Sequence, residues 1–278
     1  MEIKYLGTAA YEGIPSLFCN CDVCKRSRKS GGKAIRSRSQ AIIDGKLLLD
    51  FNGDTLMHFQ NYSLDIQNIK TCLITHAHSD HLYSEDINMI GGGYAHPKKD
   101  YTFSVYGSDT VIENIKSRME DVVANDPDSA LRLNTVEAFQ SFNADGYSIT
   151  AYPAFHDPCS GPLFYSVSDG KKTMLYAHDT GYFFENVWEH FKKTKPHFDL
   201  VSMDCTSANM FNGATHMGLP QNIQIKEKMI KEGYADEKTV FIANHFSHNA
   251  KDVFYDDFMP IALKSGILTS YDGMTVEF

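Results

Sequence analysis

The sequence predicts an α/β chain folded as an αββα four-layer sandwich, with two sheets face to face and helices on the outside. Three observations carry this. Strand-like segments outnumber helical ones; they come first as a run and later alternate with helices; and 278 residues at 42% hydrophobic content can bury a sizeable core. No internal repeat, low-complexity tract or linker divides the chain, so residues 1–278 are expected to form a single domain, with a cysteine-bearing N-terminal loop at about 18–38.

In the first half, the apolar and β-branched runs EIKYLG, QAIID, KLLLDF, TCLIT and TFSVYG predict strands. Helical patterns follow at 79–90 and 108–123. In the second half GYSITAY, LFYSVS, KTMLYAHD and DLVSMD predict strands, then 219–231 a helix, KTVFIAN a strand, 251–263 a helix and MTVEF a last strand. Each half is expected to supply one sheet.

Composition narrows the function. A formal charge of −9 disfavours a general nucleic-acid binder, because phosphate contacts need a basic surface. Nucleic acid is therefore an unlikely partner. No apolar run approaches the roughly 18 residues of a membrane span, and the start lacks a secretory pattern, so a soluble cytoplasmic protein without a membrane partner is expected. A homodimer is the default assembly, being the commonest closed form. One run departs from the acidic balance: Lys25, Arg26, Arg28, Lys29, Lys33, Arg36 and Arg38 occur without an intervening acid. It reads either as a solvated loop or as a collar for an anionic substrate. Cys72 and Cys205 read as buried small hydrophobes and Cys159 as an incidental loop thiol.

The most informative stretch is CLITHAHSDHL, in which an apolar strand delivers His76, His78, Asp80 and His81 as H-x-H-x-D-H. On extended backbone, residues two apart face the same way, so His76 and His78 can grip one ion. Ser79 and Asp80 are expected to cap the following helix, aiming Asp80 and His81 at a second. Further candidates stand where other strand-like runs end: His156 after ITAYPAF, Asp179 closing TMLYAHD, and His245 after TVFIAN. His178, one residue before Asp179, is expected to face the opposite side of its strand. Imidazoles with carboxylates suit divalent zinc, manganese or iron.

This ordered pattern, from Gly7-Thr8 through LLLDFN to the last histidine, resembles the metallo-β-lactamase superfamily and implies the metallo-β-lactamase fold. The resemblance implies that His76, His78 and His156 hold one metal, that Asp80, His81 and His245 hold the other, and that Asp179 bridges them. Asp50 and Asp204 resemble the carboxylates that support the metal histidines. A pair of cations roughly 3.5 to 4 Å apart can hold a hydroxide as nucleophile and polarise the oxygen under attack.

FCNCDVCKR sets Cys19, Cys21 and Cys24 as C-x-C-x2-C, one ligand short of a tetrahedral site. His248 in NHFSHNA lies three residues beyond His245 and is expected to reach back and complete a closed Cys3His structural zinc site. Reactive thiols without metal are the alternative. The combination looks like the PhnP group of phosphodiesterases, which accompany carbon-phosphorus lyase pathways and open cyclic ribose phosphates. That resemblance implies manganese or zinc as the two catalytic metals, a small anionic phosphodiester as substrate, and a catalytic role for His216 after the MDCTS turn, either as proton donor to the leaving oxygen or in steadying the charged phosphoryl group. Segments 91–101 and 206–215 are longer than that group needs and are expected to border the pocket.

The expected function is therefore a metal-dependent phosphodiesterase. The alternatives are an ester or lactone hydrolase on the same metals, an RNA 3′-end processing nuclease, and a non-catalytic cofactor-pathway protein similar to the pyrroloquinoline-quinone biosynthesis factor B.

Overall fold

Side chains that alternate with a period of two sort the chain into three apolar layers. In β3 (Leu47–Leu49), Leu47 and Leu49 point one way and Leu48 the other. The same split separates Met174 and Tyr176 from Leu175 and Ala177 in β10 (Thr173–Ala177). The computed structural model, which describes residues 1–91, 93–119 and 129–278, arranges these faces in two seven-stranded sheets.

The first sheet runs β14 (Thr275–Glu277), β1 (Glu2–Gly7), β2 (Gln40–Ile43), β3, β4 (Thr71–Leu73), β5 (Phe103–Gly107) and β6 (Leu131–Thr135). The second runs β13 (Leu268–Thr269), β12 (Val240–Asn244), β11 (Leu200–Asp204), β10, β9 (Leu163–Ser168), β8 (Tyr147–Pro153) and β7 (Ser141–Ala144). Each half of the chain supplies one sheet except for β14, which returns to pair antiparallel with β1. Both sheets change from antiparallel to parallel pairing partway: β3 to β6 are parallel in one, β10 to β13 in the other.

One apolar layer lies between the sheets, where Ile3, Tyr5, Ile43 and Leu73 meet Ile149, Tyr165, Leu200 and Ile242. A second packs α3 (Ser84–Ile87) and α4 (Asp109–Arg118), through Ile87, Val111 and Ile115, on the outer face of the first sheet beside α2 (Thr55–Asn61). The third packs α5 (Glu185–Thr194), α6 (Leu219–Glu232) and α7 (Tyr255–Lys264) on the second, through Val187, Trp188, Phe191, Ile225, Met229 and Phe258. This is the predicted αββα sandwich, built by burying one stripe of each helix and both faces of each sheet.

Several local expectations change. The helix expected at 79–90 begins only at Ser84, with Tyr83 rather than Ser79 or Asp80 at its N-cap, and ends in a 3₁₀ turn, Asn88–Ile90. Residues 77–81 form turns and bends, so Asp80 and His81 are aimed by this turn instead of by a helix start. The helix expected at 108–123 is α4 as far as Arg118, and its expected continuation lies partly outside the described residues. The expected loop at 18–38 is largely α1 (Asp22–Ser30) plus a 3₁₀ turn, Gly32–Ala34. The thiol of Cys21 caps α1 by accepting the Cys24 N–H, and Asp22 at its start and Arg28 and Lys29 at its end complement the helix dipole. Cys72 and Cys205 are buried and Cys159 is exposed.

Candidate metal centre

Strand ends from both sheets converge on one place. Asp50 follows β3, His76 to His81 follow β4, His156 follows β8, Asp179 follows β10, and His245 follows β12, while Asp204 ends β11. Parallel strands bring their C-terminal ends to one edge, which is where such sheets place ligands. Three of these residues adopt left-handed backbone: Asp50 (φ 67°), Asp179 (φ 51°) and His245 (φ 65°). That conformation is disfavoured for non-glycine residues, and it turns the side chain out of the strand direction just where the ladder stops.

The seven residues form two groups that share Asp179. His76, His78, His156 and Asp179 offer ligand atoms within 4.8 Å of one another, and so do Asp80, His81, Asp179 and His245. His76 Nε2 and His156 Nε2 lie 3.0 and 3.1 Å from His78 Nδ1. His76 Nε2 is 3.1 Å from Asp179 Oδ2. In the second group His81 Nε2 lies 3.2 Å from His245 Nε2, 3.3 Å from Asp179 Oδ2 and 3.4 Å from Asp80 Oδ2. Four atoms bound tetrahedrally at about 2.0–2.1 Å stand roughly 3.3 Å apart, so both groups have the span of a cation's ligand shell. Neutral imidazole nitrogens pointing at one another cannot all be satisfied by shared protons. A divalent cation in each group satisfies them together. Buried Asp179 Oδ1 also lacks a well-aligned hydrogen bond, although His216 Nδ1 is 3.0 Å away.

The electrostatics point the same way. Burial alone would raise the Asp80 and Asp179 carboxyls, but the imidazoles of His81 and His245 around both, with His216 beside Asp179, outweigh it and hold both well below the usual range. His76 is pushed down to about 4 by burial and by its neighbour His81. Burial would also lower His81, yet Asp50, Asp80 and Asp179 raise it well above the ordinary value. These opposed shifts are of the kind that bound cations would relieve, by favouring neutral imidazole and ionised carboxylate.

Outer partners fix the rings. Asp50 Oδ2 accepts from His81 Nδ1 at 2.7 Å, while Asp50 Oδ1 accepts from the Thr75 backbone N–H and hydroxyl at 2.8 and 2.9 Å. This leaves His81 Nε2 for the site. His245 Nδ1 donates to Thr206 Oγ1 at 2.8 Å, and that hydroxyl donates to Asp204 Oδ2 at 3.0 Å. Asp204 Oδ1 accepts from the backbone N–H of Thr206 and Met217. Asp204 also falls in an overlapping group with Asp179, His216 and His245, but its oxygens already have these donors, so it positions histidines. His178 faces away from Asp179, as expected, into a buried network with Ser202 Oγ at 2.6 Å and Asn244 Nδ2 at 3.1 Å. His216 stands above the groups, its Nδ1 3.0 Å from Asp179 Oδ1 and 3.3 Å from Asp204 Oδ2. Burial opposes its protonation, but these two carboxylates outweigh it and raise His216 to about 11.

Two supports escape the sequence reading. Asp157 Oδ2 lies 3.3 Å from His78 Nε2 and orients that ring; its one sequence signal is adjacency to His156. Thr206, which links Asp204 to His245, has none beyond following Asp204 by two residues.

A cleft of about 580 Å³ opens onto the centre, lined by His78, Asp80, His156, Asp179, Thr206, His216 and His245 together with Tyr11, Glu12, Ser247 and Asn249. No lysine or arginine lines it among the described residues, which corrects the collar reading of the basic run. The four arginines of that run are held by other partners, and Arg38 also donates to the carbonyl of cleft-lining Tyr11. Arg26 pairs with Asp257, Arg28 donates to the Ser16 and Cys19 carbonyls, Arg36 is buried against Thr8 and the Ser270 carbonyl, and Arg38 pairs with Asp54. Segment 91–101 is also displaced from its expected place: Ala95, Pro97 and Tyr101 line a separate apolar pocket with Leu56, Phe59 and Ile66. The 206–215 loop does border the cleft through Thr206. Gly181 and Gly218 let it fold closely, since an added Cβ would stand 2.4 Å from the Ala214 carbonyl and 1.8 Å from that of Met210, respectively.

The thiols form a separate group. Cys19, Cys21, Cys24 and His248 lie within 4.8 Å of one another, with His248 Nδ1 3.5 Å from Cys19 Sγ and 3.7 Å from Cys21 Sγ. Zinc with S and N ligands sets these atoms roughly 3.5 Å apart. Burial would raise Cys21, but the Cys24 backbone N–H and His248 bring its thiol down to about 6. Cys24, buried beside it, is pushed up to about 12. Cys21 and Cys24 are thus driven in opposite directions, a conflict that a divalent cation would remove.

A family model described as the beta-lactamase superfamily domain matches residues 48–241. None of the curated proteins compared with the chain matches it. Among solved structures, a diphosphatase from the PhnP family is similar at TM-score 0.77 and 20% identity, covering 100% of this chain and 97% of its own. Zn2+-bound PqqB from Methylobacterium extorquens is similar at 0.71 and 16%, covering 100% of both chains. The short form of human tRNase Z is similar at 0.62 and 16%, covering 100% and 99%.

Proposed function

We propose, since the chain belongs to the beta-lactamase superfamily, that it is a metal-dependent phosphodiesterase acting on a small anionic diester. One observation carries this reading: two ligand groups joined by a single shared carboxylate, Asp179, at the floor of a cleft with His216 beside them. His76, His78 and His156 would hold one divalent cation, Asp80, His81 and His245 the other, and Asp179 both. Such a pair supplies an activated water and offsets the charge on the phosphoryl oxygens.

The chain's own residues do the rest. Asp50, Thr75, Asp157 and Thr206 keep the ligand rings in the tautomer and orientation that face the site. His216, which lines the cleft with Nδ1 toward Asp179 and Asp204, would give the proton on its other ring nitrogen to the leaving alkoxide. No lysine or arginine lines the cleft among the described residues, so substrate charge must be met by the centre and its histidines. This favours a diester with one negative charge over a polyanion such as RNA. Cys19, Cys21, Cys24 and His248 would hold a closed structural zinc that ties α1 to the loop after β12.

The test is turnover of bis(4-nitrophenyl) phosphate against a γ-lactone after reconstitution with manganese or zinc. Hydrolysis of the diester at least about tenfold faster, by kcat/KM, is expected. Lactone hydrolysis with an inert diester overturns the reading.

A further inference from the structure

Glu12 is the one carboxylate lining the cleft that belongs to neither ligand group. It sits in the turn after β1, with its side chain 25% exposed. Its Oε1 accepts the Ser247 hydroxyl and faces His248 Nε2 at 3.7 Å. Among the described residues no hydrogen bond engages its second oxygen. Ser247 Oγ in turn accepts the Asn249 N–H at 3.2 Å, which links Glu12, Ser247 and Asn249 along one wall of the cleft. His248 therefore turns Nδ1 to the thiols and Nε2 toward Glu12. The carboxylate is held at one oxygen while its partly exposed side chain lines the cleft.

We infer that Glu12 is a specificity-determining residue that selects diesters whose non-reacting group is uncharged and bears hydroxyls, and rejects those carrying a second negative charge. This rests on the phosphodiesterase reading and deepens it. The physical ground is asymmetry. Among the described residues no lysine or arginine lines the cleft, so a second anionic group that reaches Glu12 meets its carboxylate without one of these cations to offset it, and like-charge juxtaposition is costly. A hydroxyl placed there instead donates to an ionised acceptor, the stronger class of hydrogen bond. A site built to accept such a donor discriminates against analogues that lack it.

The test compares the metal-loaded full chain with Glu12→Gln on three 4-nitrophenyl phosphodiesters whose second ester group is ethyl, 4,5-dihydroxypentyl (its hydroxyls too remote to attack phosphorus through a five- or six-membered ring) or 2-carboxyethyl. Glutamine keeps an oxygen for Ser247 and His248 and removes the charge. In the unsubstituted protein kcat/KM is expected to rise about tenfold from ethyl to dihydroxypentyl and to fall about tenfold from ethyl to carboxyethyl. In Glu12→Gln the carboxyethyl penalty shrinks to within about threefold, the ethyl diester stays within about twofold, and the zinc content is unchanged. Identical ratios in both proteins overturn the inference. So does a variant that loses zinc and slows all three diesters equally, which is the signature of a residue that only props His248. If no diester turns over, the phosphodiesterase reading fails by itself. Dissociation constants for the same three compounds, by calorimetry, then decide the inference: relaxed discrimination in Glu12→Gln supports it, and an unchanged ranking overturns it.

Discussion

The two candidate cation sites of this chain are built in opposite ways. The His/Asp centre gathers residues from the ends of β4, β8, β10 and β12, and its rings are held by Asp50, Asp157 and Thr206. The thiol group takes three of its four members from residues 19–24 and leans on backbone N–H groups and on Arg28, which donates to the Ser16 and Cys19 carbonyls. One is preorganised by two sheets and open to a cleft. The other has little scaffold of its own and uses its four members to close on themselves. Geometry imposed by a folded frame suits chemistry, because the ligands wait in place; geometry completed by the ion suits tethering, because binding and ordering are then one event.

That contrast can be broken, and the largest effect tests its centre. Asp179→Ala should lower kcat/KM on a nitrophenyl diester by on the order of a thousandfold and remove both dinuclear cations, read by metal analysis, while the thiol site keeps its zinc. Loss of the thiol-site metal as well would show that the two regions are one unit. His216→Ala should cost about a hundredfold on diesters with basic alkoxide leaving groups and under about tenfold on nitrophenoxide. Equal losses on both would remove its role as proton donor.

A smaller step sharpens the scaffold argument. Asp50→Asn should weaken metal binding by roughly 10- to 100-fold in competition with a chelator, and Asp157→Asn by the low end of that range or less. The ranking follows from burial, since Asp50 is wholly buried and Asp157 about 45% exposed on its side chain. The reverse order would mean that the scaffold matters less than access. Cys24→Ser should leave turnover within about tenfold, lose one zinc, and lower Tm by about 5–10 °C in differential scanning calorimetry. Unchanged Tm with one metal missing would strip the knot of its tethering role.

The same contrast explains what was readable before the fold was seen. H-x-H-x-D-H concentrates four ligand candidates in six residues after an apolar strand, and strand-end positions marked His156, Asp179 and His245. Strands with both faces buried, such as β3 and β10, announce themselves as apolar runs. By contrast β7 and β13 are short strands at the sheet edges, too brief for a periodic signal, and β6 is a half-exposed edge strand interrupted by Arg132 and Asn134. Helix α5 carries Val187, Trp188 and Phe191 at helical spacing among seven polar residues and went unread, as did α2; α1 has no apolar stripe to read. Thr206, Asp157 and Glu12 are single polar residues whose roles exist only through neighbours brought close by the fold. The destinations of Arg26, Arg36 and Arg38 were likewise invisible, because Asp257, Ser270 and Asp54 are partners that local sequence does not name.

The wide separation of Cys24 and His248 along the chain has a consequence for biosynthesis. A ribosome adding about 5–20 residues per second leaves the three cysteines without their imidazole for on the order of ten to forty seconds, an interval in which oxidants and competing ions can reach them. Alkylation of stalled nascent chains with a maleimide should therefore label these cysteines before residue 248 emerges and spare them afterwards; uniform labelling at every length would mean that the knot never closes during translation.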